Sequence, residues 1–193
     1  MPLAHIDFLD ASLERVSAEI SERMRPFDAP LARLSTIPGI GRRTAEVLVA
    51  EIGTDLTRFP SAGHLASWAG LCPGNDENAG KRRSGRTRKG SPWLRTALVE
   101  AAQAAARTKD TYLAAQYRRL AARRGAKRAA VAVAHTLVVM VYALLTQQQE
   151  TYHELGGQYF DARDRQAVQR RLVHRLEALG YAVSLQPATT PAA

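Results

Sequence analysis

The sequence predicts an all-α fold: a helical domain containing a helix-hairpin-helix, with an N-terminal coiled-coil-like helix and a long basic loop. Three observations carry that prediction. Apolar residues recur at spacings of mostly three and four along several stretches, which puts them on one side of a helix. Proline and glycine gather between those stretches, where proline removes a backbone donor and glycine permits tight turns. The segment from Ala129 to Leu145 is almost wholly apolar, as a central helix buried on all sides must be.

The first element, within residues 1–30, carries Ile6, Leu9, Leu13, Val16, Ile20, Met24 and Phe27 as one apolar stripe, with Pro26 and Pro30 bracketing its end. Such a stripe needs a partner, and two are compatible with it: a second chain in a coiled coil, or the helix's own domain folded back on it. Residues 31–180 read as one helical domain. Over 31–53 it holds LSTIPGIGRRTAEVLVAEIG, which looks like a helix-hairpin-helix. There Pro38 stops one helix and Gly39 and Gly41 let the backbone turn. The amides opening the next helix can then hold a phosphate, beside Arg42, Arg43 and Thr44. Ile37 and Ile40 are expected to lock this hairpin into the core.

Residues 55–60 read as a turn, and 62–71 as a short helix or extended apolar segment whose Trp68 is expected in the core. Periodicity stops over 72–92, a polar, glycine-rich basic loop. Helices resume with Ser91 as N-cap and Pro92 at the first helical position. They run to about Arg107, then over about 110–124 and 127–148. After Gly156-Gly157 a last amphipathic helix covers about 161–179, and residues 181–193 are expected to be a disordered tail. The 129–145 segment falls short of the ~20 residues of a membrane span. It also holds His135 and follows a basic stretch, so a soluble bundle and no membrane partner are expected.

A chain of 193 residues, 46% hydrophobic, can bury a real core. Its net charge of +9 points to a polyanionic partner, and position says more than the total. Between Asn75 and Arg128 there are fifteen Lys or Arg against four acids, so the remainder is slightly acidic. Charge concentrated in this way reads as a nucleic-acid surface. Cys72 is the only cysteine, which excludes a disulfide framework and fits a cytoplasmic, nucleoid-associated protein. The histidines at 5, 64, 135, 153 and 174 lack ligand spacing, so neither a metal nor a cofactor is expected. Glu14, Glu19, Glu46 and Glu51 read as solubilising charges on helix faces.

The basic loop combines Lys81, Arg82, Arg83, Arg86, Arg88, Lys89 and the following Arg95 as phosphate partners. Gly80, Gly85 and Gly90 allow close backbone approach, and aromatic Trp93 follows. In order along the chain come LSTIPGIGRRTAEVLVAEIG, FPSAGHLASWAGLCPG, AGKRRSGRTRKGSPWLRTALVEAA and RGAKRAAVAVAHTLVVMVYALL. This series resembles the C-terminal transposase domain of the bridge-RNA-guided insertion-sequence recombinases, over about residues 5–160. The resemblance implies a serine that attacks a DNA phosphodiester, a connecting coiled coil matching the opening helix, and an upstream RuvC-like domain with four acidic metal ligands. The serine is expected just before a small-Gly-Lys step, here Ala79-Gly80-Lys81. The residue in that place is Asn78, whose amide is not a nucleophile of this kind. Ser84 is the nearest alternative hydroxyl, and no acid-bearing segment precedes the opening helix.

The sequence therefore predicts a transposase-related DNA-binding protein, a truncated or inactive form for DNA transposition. Expected partners are DNA and structured bridge RNA, with self-association or association with a full-length transposase through residues 6–27. The alternative is an autonomous helix-hairpin-helix DNA-binding protein without catalysis. A further reading is an active recombinase using Ser84, with the missing domain supplied in trans.

Overall fold

A computed structural model describes residues 2–74, 76–146 and 151–186, with the side chains of 2, 76–78 and 81–84 outside the description. The chain opens with helix α1 (Pro2–Met24), a short 3-10 turn (Arg25–Phe27) and α2 (Asp28–Leu34). It continues through α3 (Arg42–Ile52), α4 (Ala62–Trp68) and two strands, β1 (Asp76–Asn78) and β2 (Lys81–Ser84). Helices α5 (Pro92–Arg107), α6 (Tyr112–Arg124) and α7 (Ala126–Thr146) follow, then α8 (Tyr159–Arg163) and α9 (Arg165–Ala178). The class is helical, as predicted. The expected last helix is broken at Asp164, whose carboxylate accepts from the Ala167 amide and so begins α9 afresh. Residues 147–148, expected to close the apolar helix, and 187–193 of the expected tail lie outside the described residues.

Helix α7 is the axis, packing against α2, α4, α5 and α6. It is long and apolar enough by composition to cross a membrane, yet Val133, Ala134, Leu137, Val138 and Val141 are buried inside this fold. Around it Leu31, Leu34, Leu48, Ile52, Leu65, Leu94, Leu98 and Leu113 complete a core of aliphatic side chains. Ile37 and Ile40 are 1% and 3% exposed, so the α2–α3 turn is held in that core as expected. Ser91 caps α5 by accepting from the Leu94 amide, with Pro92 behind it, also as expected.

Three expectations need correction. Trp68 is 43% exposed, and its ring rests against Phe59 at 5.7 Å between centroids. The segment ends at the surface because Leu65, Ala66 and Ala69 occupy the buried face. The basic loop is in part a β-hairpin: Asn78 pairs with Lys81, Glu77 with Arg82 and Asp76 with Ser84. The turn residues Ala79 and Gly80 both have positive φ, 49° and 74°, as a two-residue primed turn requires. Finally, Glu46 is buried and Glu51 accepts from the Ser91 hydroxyl at 2.8 Å, so neither is a solubilising charge.

The stripe on α1 is not covered by the domain over its first half. Leu3, Ile6, Leu9, Leu13 and Val16 are exposed, whereas Met24 and Phe27 pack against the core.

Candidate nucleic-acid interface

Two places were expected to hold phosphate, the α2–α3 turn and the basic loop, and the fold treats them differently. At the turn, Gly39 has φ +91°, and a Cβ there would lie 2.3 Å from the Ala101 carbonyl oxygen and 2.7 Å from the Ala105 nitrogen. Gly39 is thus a close-packing residue against α5 and faces protein. Gly41 is open, with nothing near its missing side chain, and N-caps α3 without a side-chain bond.

Arg42 and Arg43 are engaged within the fold. Arg42 donates through Nε to Glu46 at 3.0 Å and through Nη2 to Asp28 at 2.8 Å. Those carboxylates, Glu46 first, raise its pKa above the ordinary arginine value. Arg43 donates to the other oxygen of Glu46 at 3.1 Å and to the Ser17 hydroxyl at 2.8 Å, which ties α1 to α3. Thr44 is half-buried in the first turn of α3. The motif reads as a phosphate site in sequence, but its cations already have anions.

The basic segment is a protruding arm with a tightly built root. A Cβ on Gly90 would sit 2.3 Å from the Gly70 nitrogen and 2.5 Å from the Trp68 oxygen, while Gly70 itself has φ +70°. The two glycines bring the end of α4 and the start of α5 into backbone contact. Arg95 secures this root, donating to the Gly70 carbonyl and to Thr87 Oγ1. That is a structural clamp, a different use from the phosphate contact expected of it. Above the root, the Gly74 amide donates to the Arg86 carbonyl at 2.8 Å and Pro73 bridges Thr87.

The arm then runs out to the hairpin turn. Asn78 ends the outgoing strand beside that turn, and Ser84 lies on the returning strand opposite Asp76. The side chains of Asn78, Lys81, Arg82, Arg83 and Ser84 lie outside the described residues. Gly80 is a turn residue with open space around it, and Arg88 and Lys89 are exposed on the return to α5.

Between the arm, α6 and α7 opens a cleft of about 1160 Å³. Its cations are Arg86 from the arm, Arg124 from the end of α6, and Lys127 and Arg128 from the start of α7. Gln116, His135 and Thr136 add polar groups from deeper along the same two helices, and among the described residues no carboxylate lines it. Helix energetics make the placement informative. Arg124 complements the negative end of α6, but Lys127 and Arg128 sit in the first turn of α7, at its positive end. Packing does not call for cations there; a phosphate would complement both the side chains and the free amides.

Sequence reasoning did not single out Arg124, Lys127 and Arg128. The signal was present, because the stretch of concentrated positive charge ends at Arg128. Only the fold shows that Arg86 and the Arg124–Arg128 cluster, some forty residues apart, share one cleft. The outer side of α6 is different: Arg118, Arg119 and Arg123 share a smaller depression with Arg171 and Asp161, and Arg119 lies over the Phe160 ring at 5.4 Å.

A model of the "Transposase IS116/IS110/IS902 family" matches residues 31–118, from α2 through the arm into α6. The chain is 35% identical over 124 residues to the transposase for insertion sequence element IS1111A of Coxiella burnetii, an alignment covering 62% of this chain and 34% of that protein. It is 40% identical over 78 residues to the insertion element IS110 43.6 kDa protein of Streptomyces coelicolor, covering 35% of this chain and 19% of that one. Over 40 residues it is 58% identical to the pilin gene-inverting protein of Moraxella bovis, covering 21% and 12%. The chain therefore spans about a third of the length of the Coxiella protein and less of the other two. Residues 31–118, where the chain is similar to that family, supply the arm and the first part of the cleft wall.

Proposed function

We propose that this chain is a DNA-holding module for transposition or recombination of an insertion element. The cleft between the arm, α6 and α7 grips a phosphate backbone and the arm follows the strand outward. The observation that carries this reading is the charge of the cleft, where Arg124, Lys127 and Arg128 gather on one wall and no carboxylate is found among the described lining residues. A cleft of one sign concentrates a polyanion and binds it in a strongly salt-dependent way. The family match over 31–118 supports DNA as that polyanion, and structured bridge RNA is a second ligand of the same chemistry.

Contacts of this kind position a nucleic acid without reading its sequence. Strand cleavage is not part of the proposal, because the residue before Ala79-Gly80-Lys81 is Asn78. A role for Ser84 would show as a covalent protein–DNA adduct lost in Ser84→Ala.

The exposed half of the α1 stripe supports self-association, or association with a full-length transposase, through residues 6–27. We accordingly assign residues 1–30 as an association helix and 31–180 as the transposase helical domain, acting at the nucleoid in the cytoplasm. The alternative reading, an autonomous helix-hairpin-helix binder, requires the α2–α3 turn to meet phosphate. The pairing of Arg42 and Arg43 with Glu46 and Asp28 favours the cleft instead.

The test is binding to labelled duplex DNA and to structured RNA across a salt series. Wild type is compared with Arg124→Ala/Lys127→Ala/Arg128→Ala and with Arg42→Ala/Arg43→Ala. The cleft variant is expected to lose about three in the slope of log affinity against log salt, at roughly one per phosphate contact. The turn variant is expected to keep the wild-type slope. Loss confined to the turn variant would transfer the site to α2–α3, and wild type binding neither ligand would end the proposal.

A further inference from the structure

We propose that Trp93 is a stacking platform for an unpaired nucleobase of a DNA strand held by the arm, an inference that rests on the reading above. Trp93 is 73% exposed in the first turn of α5, and among the described residues it stacks on no other ring. The local fold does not need an indole there: Ser91 caps the helix, Pro92 starts it, and the next residue, Leu94, is the one buried in the core. An indole left in solvent offers its whole face for stacking against a flat partner.

The surroundings identify the cover. Arg88 and Lys89, exposed on the returning limb of the arm, precede Trp93 by five and four residues, and that limb is fixed against α4 by the Gly70–Gly90 contact and by Arg95. An exposed ring that follows exposed cations along a rigid root fits an aromatic base attached to a phosphate backbone. An apolar protein face would have to desolvate those charges. Trp68 supplies an internal control: it lies across the same root, its carbonyl accepting from the Ser91 amide at 3.3 Å, yet its ring already rests on Phe59. Exposed cations that track the backbone, combined with an aromatic face for a base, make the usual composition of a single-strand site.

The chain has two tryptophans, so each can be observed alone. In Trp68→Phe, addition of a single-stranded oligothymidylate of about 16 nucleotides, long enough for one such site, should quench the remaining Trp93 emission. In Trp93→Phe, the same strand should bind with little change in Trp68 emission. Trp93→Ala should weaken single-strand binding by about 5- to 100-fold, while duplex affinity, read by anisotropy, changes less than about 2-fold. Circular dichroism of this variant should match wild type, since the side chain is exposed.

A strand that binds by anisotropy without altering Trp93 emission would overturn the assignment and leave the cleft reading intact. Equal losses for single strand and duplex in Trp93→Ala would do the same. A Trp93 signal that follows protein concentration in place of added strand would overturn it in favour of a protein contact. No binding of strand or duplex by wild type would remove the cleft reading and this inference together.

Discussion

The α2–α3 turn and the α6–α7 junction are both glycine-centred helix connections with arginines close by, yet they end in opposite states. At α2–α3 the cations are folded inward, with Glu46 shared between Arg42 and Arg43 and Asp28 completing the set. Gly39 presses on α5, and the hydroxyl of Thr36 accepts from the Tyr152 amide at 2.9 Å, so the later chain closes over the same turn. At α6–α7, Gly125 has φ +83° with open space around it, and Arg124, Lys127 and Arg128 line a cleft with no carboxylate among its described lining residues. A glycine-and-arginine pattern therefore does not specify a phosphate site. On the function proposed above, whether carboxylates reach the cations decides whether that pattern is a joint or an interface.

The strongest way to break this contrast is at Gly39. Gly39→Ala forces a side chain into the α5 backbone at a positive φ. Left-handed strain of about 1–2 kcal/mol and overpacking of about 1–3 kcal/mol together predict a loss of roughly 3 kcal/mol or more in chemical denaturation. Gly41→Ala, with φ −86° and nothing near its Cβ position, should cost less than about 1 kcal/mol. Comparable losses from the two would refute the close-packing account of Gly39.

A smaller effect is expected at the shared carboxylate. Glu46 is 5% exposed and satisfies two guanidinium groups whose outer sides remain in solvent. Glu46→Gln should lower stability by about 1–2 kcal/mol, from weakened charge-assisted hydrogen bonds. It also removes the anion that Arg42 and Arg43 share, leaving Arg42 with Asp28 and Arg43 with Ser17. If the turn is a joint, DNA affinity stays within about 2-fold of wild type; if the two arginines, relieved of Glu46, recruit phosphate, affinity rises and the contrast between the two regions narrows.

The interface side is tested by one cation at a time. Lys127→Ala should lower the salt slope of DNA binding by about one and weaken binding evenly across sequences. Its stability should stay within about 0.5 kcal/mol of wild type or rise slightly, since a cation leaves the positive end of α7. Unchanged binding together with a stability loss would make Lys127 a structural residue.

Much of this was legible before the fold, and what was not has two causes. The helices were readable because each buries a stripe at a period near 3.6, and the Ser91-Pro92 start of α5 was readable because capping is local. The hairpin was not, since Asp76-Glu77-Asn78 and Lys81-Arg82-Arg83-Ser84 have none of the alternation or β-branched residues that announce strands. Its turn also places Ala79 at positive φ, where a sequence rule expects asparagine or glycine. The contacts that Arg42, Arg43, Arg95 and Gly39 make within the fold were hidden for a tertiary reason. Their partners, Asp28, Ser17, Gly70, Thr87 and the α5 backbone, are neighbours in space, and most are well separated along the chain. The cleft was half-visible in the charge distribution and needed α6 and α7 side by side to become a site.

The mildest test concerns the closure of the turn by Tyr152. Burial, with the Glu154 carboxylate adding to it, pushes the Tyr152 phenol up to about 12 from its ordinary 10. Its folded pKa is raised, so the hydroxyl makes no pH-dependent difference at neutral pH, where it is protonated in both states. As pH rises from 10 towards 12 the unfolded chain ionises and the folded one does not, and stability falls over that window. Tyr152→Phe removes this contribution. Melting temperatures of the two proteins should agree closely at pH 8, and above pH 10 the variant should lose stability less steeply than wild type. Parallel curves across the whole range would mean that Tyr152 is solvated, and that its segment does not hold the α2–α3 turn shut.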